Sequence, residues 1–225
     1  MYKNALIVSL ASLGLMLPAV ASDREQDVAR VRKAADVFHE IMSTPDKGIP
    51  RGLLERAKCV LIVPGEEKLA FIFGGNYGKG VATCRTANGW SAPMFVAVGG
   101  GSVGFQIGGS FTDAVMLFMN DHALQSLLGD KFKLGGDASV AAGPVGRDAA
   151  ADTDARFNSE ILSYSRSKGI FAGVSLDGAV VQADHSGDRA MYGRDVTHQE
   201  ILHGQVPVPE PAQRLVSELD RYQRR

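Results

Sequence analysis

From Lys58 the pattern of this chain changes to a period of two, in short apolar segments that continue as far as Asn120. "KCVLIVPG", "EKLAFIFGG", "GVATCRTANGW", "SAPMFVAVGGGSVGFQIGG" and "SFTDAVMLFMN" follow one another with only short turns between them. A period of two is that of a strand, and Pro64-Gly65 and Asn88-Gly89 are turn signals. Connections this short have no room for a crossover helix, so the strands are expected to be antiparallel neighbours. The 26 glycines belong to the same picture. In a β-rich chain they mark turns, bulges and places where strands lie close together.

The rest of the chain supplies helices to cover such a sheet. Residues 23–43 carry Val28, Val31, Ala35, Phe38 and Ile41 or Met42 at three- and four-residue steps, and Pro45 and Gly48 end the pattern. "IPRGLLERA" predicts a short second helix with Pro50 at its start. "HALQSLLGD" predicts a third, capped by Asn120 or Asp121 and stopped by Gly129. "FKLGGDASVAAGPVGRDAAADTDA" reads as strand then loop. "RFNSEILSYSRSKGIFAGVSLDGAVVQAD" reads as strands, bent at Lys168-Gly169 and Asp177-Gly178, with a helical turn at 152–162 as an alternative. "DVTHQEILHG" predicts a capped short helix, and Leu215, Leu219 and Tyr222 line a final one after the prolines at 207, 209 and 211. The expected fold is α+β: an antiparallel, glycine-rich sheet or partial barrel flanked by N-terminal, central and C-terminal helices.

The first residues predict export. Lys3, an apolar run from Ala5 to Pro18, and Ala19-Val20-Ala21 form the pattern of a secretory signal peptide over residues 1–21, cut after Ala21. Residues 22–225 are then a single domain with a C-terminal helical tail, exported to the periplasm or secreted. Cys59 and Cys84 are the only cysteines. Export permits a disulfide between them, and two buried free thiols are the other reading.

"VGGGSVGFQIGG" fits both G-x-G-x-x-G and G-x-S-x-G. Both motifs need a helix directly after the match, whereas extended, glycine-punctuated sequence follows here. Neither a dinucleotide loop nor a nucleophilic Ser102 is expected. "GGNYGKG" has Gly80 where a phosphate loop needs Ser or Thr. His198 and His203 are five apart, which misses the pairing of a helical zinc site, and both are expected at the surface. Asp152 and Asp154 read as a solvated turn. No catalytic residue, metal ligand or cofactor is assigned. The balance of 24 basic and 25 acidic residues excludes a general nucleic-acid binder.

"FKLGGDASVAAGPVGR", "ILSYSRSKGIFAGVSLDGAVV", "LFMND" and "GGSVGFQIGG" together resemble the SYLF domain family, over roughly residues 30–203. The resemblance implies a membrane-associated lipid-binding module. Eukaryotic members bind phosphoinositides through a basic surface and an amphipathic N-terminal helix, some yeast relatives bind actin filaments, and bacterial relatives are mostly exported. For an exported chain it implies an anionic lipid surface, or else a protein partner in the cell envelope, and not catalysis. The candidate lipid-binding residues are Arg30, Arg32 and Lys33, which with Arg24 crowd the polar side of the first helix, then Lys131 and Lys133, Arg147, and Arg166 with Lys168. Two readings stand for each group. The helix lies on a membrane or packs on the sheet. The strand lysines hold a head group or protect a sheet edge.

Overall fold

The computed structural model describes residues 18–44, 48–65, 76–100, 112–146, 159–167, 170–174 and 176–222. Most of the expected leader, the expected strand "EKLAFIFGG", the glycine motif from Gly101 onward with Ser102, and Arg147, Asp152, Asp154 and Lys168 lie outside the described residues.

The centre of the structure is β1, Cys59–Val63, whose every residue is buried. On one side it pairs with β2 (Asn76–Thr86), and on the other with β5 (Thr112–Phe118), both antiparallel. Beyond β2 come β4 (Met94–Gly100), β10 (Val180–Ala183) and β6 (Lys131–Lys133). Beyond β5 come β8 (Ile161–Ser167) and β7 (Val140–Ala142). The short β3 (Gly89–Trp90) pairs with β2, and β9 (Ile170–Gly173) with β8.

The sheet is curled, and its connectivity requires this. β6 and β7 stand at opposite ends of the strand order, yet only Leu134–Ser139 separate them in sequence. Such a link reaches at most about 25 Å. Eight flat strands would span about 34 Å. The ends must therefore bend towards one another, which is the expected partial barrel. One pairing departs from the antiparallel expectation: β7 lies parallel to β8, because it enters from the far edge of the sheet and not by a hairpin.

Close strand approach explains two of the glycines. A Cβ on Gly80 of β2 would lie 2.5 Å from the Ile62 carbonyl oxygen. A Cβ on Gly143, just after β7, would lie 2.0 Å from Cζ of Tyr164, a fully buried ring stacked on Phe171.

Both faces of the sheet are covered. Alternation along β1 sends Val60 and Ile62 into one core and Cys59, Leu61 and Val63 into the other. The first core is closed by α1 (Pro18–Ser43), α2 (Arg51–Arg56) and α6 (Gln213–Arg221), the last preceded by a 3-10 turn at Glu210–Ala212. The second is closed by α3 (Asp121–Leu128) and α5 (His198–Leu202). Helix ends match their sequence signals: the Asn120 side chain accepts from the Ala123 amide, and Thr197 with Glu200 forms a capping box. One helix has no counterpart in the sequence reading. This is α4, His185–Tyr192, with Asp184 as its N-cap.

Helix α1 is a core element. Val31, Ala34, Ala35, Val37, Phe38 and Ile41 are buried against the sheet, and Phe38 meets Tyr222 edge-on. Its apolar face is therefore not available to a membrane. The expected cut after Ala21 would remove only the start of this helix and leave its packed part in place.

Cys59 and Cys84 are direct cross-strand partners on β1 and β2, and they form a disulfide within the second core. Two measurements check this architecture. Phe38→Ala should lower the unfolding free energy by about 3–5 kcal/mol in urea; a negligible change would mean that α1 does not seal the sheet. Reducing the disulfide should cost roughly 3 kcal/mol, with peptide mapping recovering Cys59 linked to Cys84 before reduction and not after.

Candidate functional site

Charge is concentrated where α1, α4 and the strands β2, β4 and β10 meet. Asp184 organises this junction. Its Oδ1 accepts the Gly187 amide at 3.1 Å and the Ser186 hydroxyl at 2.5 Å. Its Oδ2 takes Lys79 Nζ at 2.8 Å and Arg30 at 3.4 Å. Burial works to raise the Asp184 pKa, but the Lys79 ammonium, the Ser186 hydroxyl and the Gly187 amide outweigh it and hold it at about 2. Arg30 also pairs with Asp27 at 2.9 Å and lies over the Phe95 ring.

One turn along α4, Asp188 has the opposite fate. Its Oδ1 accepts the Phe95 amide at 2.9 Å. Its Oδ2 is buried without a hydrogen-bond partner. Burial dominates, the Phe95 amide opposes it, and the charges of Asp184 and Asp27 add to it, so the carboxyl is pushed up to about 7. His198 Nε2 lies 4.0 Å from Oδ2.

A groove opens beside this junction. Lys79, Ala97 and Gln182 are direct partners across β2, β4 and β10, so their side chains leave one face of the sheet. With Ala183, Asp184, His185 and Ser186 they line an open cavity of about 310 Å³. Lys131 on β6 is the next partner of Gln182, and Lys133 lies two residues further along the same face.

The sequence-derived candidates separate by their surroundings. Arg30, expected on the polar side of the helix, is buried and neutralised by Asp27 and Asp184, so it is a structural cation. Arg166 is half-buried and held between Asp113 and Glu40. Lys33 is exposed, with the Asp113 carboxylate in its field. Arg32, Lys131 and Lys133 are exposed and form no ion pair among the described residues. His203 is at the surface as expected, but His198 is buried, because α5 turns it inward against the end of α3. Lys79, Asp184, His185 and Asp188 escaped the sequence reading. Their one local signal is Asp184 followed by Asp188, an N-cap and a first-turn acid on a helix whose apolar stripe is too short to notice.

The Asp188 geometry predicts a pH dependence. Its folded pKa, about 7, exceeds the unfolded value, so the folded state holds the proton more tightly. Stability then falls as pH rises from about 4 to 7 and is flat beyond, because the unfolded chain ionises first. Asp188→Asn keeps an acceptor for the Phe95 amide and removes the charge. The variant should gain roughly 4 kcal/mol over the parent at pH above 7, and that gain should vanish near pH 4. Urea unfolding across this range checks it; a pH-independent difference would show that Asp188 does not titrate as described.

Residues 99–222 match the Ysc84 family model, described as Las17-binding protein actin regulator. Protein YSC84 of Saccharomyces cerevisiae is 36% identical over 201 residues, 85% of this chain and 43% of the relative. The SH3 domain-containing protein PJ696.02 of Schizosaccharomyces pombe is 41% identical over 169 residues, 73% of this chain and 39% of the relative. The human SH3 domain-containing YSC84-like protein 1 is 32% identical over 207 residues, 90% of this chain and 60% of the relative. The chain thus spans from about two fifths to three fifths of the length of these relatives. A family model that matches more than half of the chain, and relatives more than 30% identical over most of it, show that this chain belongs to the Ysc84 (SYLF) family.

Proposed function

We propose that the chain is a non-catalytic binding module that docks on an anionic surface, in the first place the head groups of acidic lipids, through the basic face of β6. One observation carries this reading. Lys131 and Lys133 stand exposed on one side of a terminal strand, and their ammonium groups form no ion pair among the described residues. Two other cations of the candidate set, Arg30 and Arg166, are occupied by carboxylates. Lys79 and the groove continue the same face, and Arg32 adds a second exposed cation on α1. The helix contributes as cover for the sheet and not as an anchor. Export after processing at Ala21 belongs to the same proposal, with an envelope membrane as the surface in question. No helix among the described residues is long and apolar enough to cross a membrane.

A second reading is favoured by the family's description as Las17-binding actin regulators, which makes a protein partner plausible for the same face. Vesicle flotation separates the two. The protein should bind phosphatidylglycerol vesicles and not phosphatidylcholine ones, and salt should weaken binding, since exposed charges are screened beyond about 10 Å at 0.1 M. Each lysine near an anionic surface contributes about 1 kcal/mol, so replacing Lys131 and Lys133 by alanine should weaken binding by a factor of roughly 30 with folding unchanged. Binding that ignores salt and both substitutions would overturn the lipid reading, and binding to no vesicle would leave the protein partner.

A further inference from the structure

The two unpartnered atoms behind α4 point to a ligand that the basic face does not explain. His198 opens α5 and is 95% buried, and its Nε2 has no hydrogen-bond partner. Asp188 Oδ2, 4.0 Å away, has none either. That separation is too long for a hydrogen bond between them. A buried imidazole nitrogen left without a partner is unusual in a folded protein. It stands beside two further groups of the same chemistry. The His185 ring stacks on the His198 ring, with centroids 4.8 Å apart and planes 7° from parallel. His185 Nε2 lies 3.2 Å from Asp130 Oδ1. One donor atom from each of Asp130, His185 and His198 falls within 4.8 Å of the other two.

We propose that Asp130, His185 and His198 bind a divalent transition-metal ion of the zinc type, with Asp188 as the buried carboxylate behind His198. The donor set fits this class. Two imidazoles and one or two carboxylates suit a borderline cation at about 2.0–2.2 Å per ligand, whereas calcium and magnesium call for more oxygens. The ligands come from three places that the fold brings together: the turn between α3 and β6, the first residue of α4, and the first residue of α5. His198 is held in place by burial, and the carbonyls of Leu128 and Gly129 lie against its ring. The side chains of Asp130 and His185 are 82% and 58% exposed, which leaves the ion open to solvent on that side. The site adjoins the groove through His185 but does not depend on what the groove binds.

The test is calorimetric titration of zinc chloride into the full chain, purified without a histidine tag and stripped with a chelator. Cobalt absorption serves as a second readout of the ligand field. One ion should bind per chain. His185→Ala, whose side chain is exposed, should weaken binding by about tenfold or more, and Asp130→Asn should weaken it in the same direction. His198→Ala should remove binding, with circular dichroism confirming the fold; if that variant does not fold, the His185 result decides. His122→Ala, an exposed histidine paired with Glu160 elsewhere on the surface, should leave binding unchanged. Absence of zinc binding by the parent chain would overturn the proposal. So would an affinity that His185→Ala leaves intact.

Discussion

Strand β1 has water on neither face, and the remainder of the structure follows from that. Five consecutive buried residues, Cys59–Val63, demand a partner strand on each edge and a hydrophobic layer on each side. β2 and β5 supply the edges. Helix α1 with α6 supplies one layer, and α3 with α5 the other. An element removed from either layer would expose the centre of the sheet. This is why the amphipathic first helix serves the interior: its apolar stripe matches a surface the chain already carries, closer at hand than any membrane.

The same constraint sorts the charges. A cation near a two-sided core is either paired or pushed to the rim. Arg30 is on the inward side of α1 and is tolerated there because Asp27 and Asp184 flank it and the Phe95 face receives it. Arg166 on β8 is bound between two carboxylates, Asp113 of β5 and Glu40 of α1. Lys131 and Lys133 escape this pairing because β6 is short, terminal and outside the cover of α1, so their face looks outward while Phe132 packs inward. Surface available for an anionic partner is thus what the core did not need.

Asp184 and Asp188 show how neighbouring carboxyls on one short helix diverge. Asp184 meets two cations, a hydroxyl and an amide, and remains ionised. Asp188 meets one amide and its acidic neighbours, so the low-dielectric interior favours its neutral form. The polar atoms left over, Asp188 Oδ2 and His198 Nε2, are the residue of packing α4 and α5 together over the sheet. A core that leaves such atoms facing each other has room for chemistry that the sheet itself does not require.

Local sequence pattern determined the fold class, the strands at Cys59–Val63, Met94–Gly100 and Thr112–Phe118, the caps at Asn120 and Thr197, and the alternation of Lys131 and Lys133 about Phe132. Each of these is set by neighbours within a few residues, where backbone sterics and side-chain period dominate. The shared sequence blocks marked the family, because several long ordered segments rarely coincide by chance. Tertiary structure decided the rest. It chose the disulfide by placing Cys59 opposite Cys84 on adjacent strands. It made β7 parallel and curled the sheet, since those depend on which edge a short link can reach. It buried Arg30 and His198, and it joined Asp130, His185 and His198 from three elements. Burial and convergence of side chains far apart in sequence have no periodic signature. They arise only once both faces of the sheet have been covered.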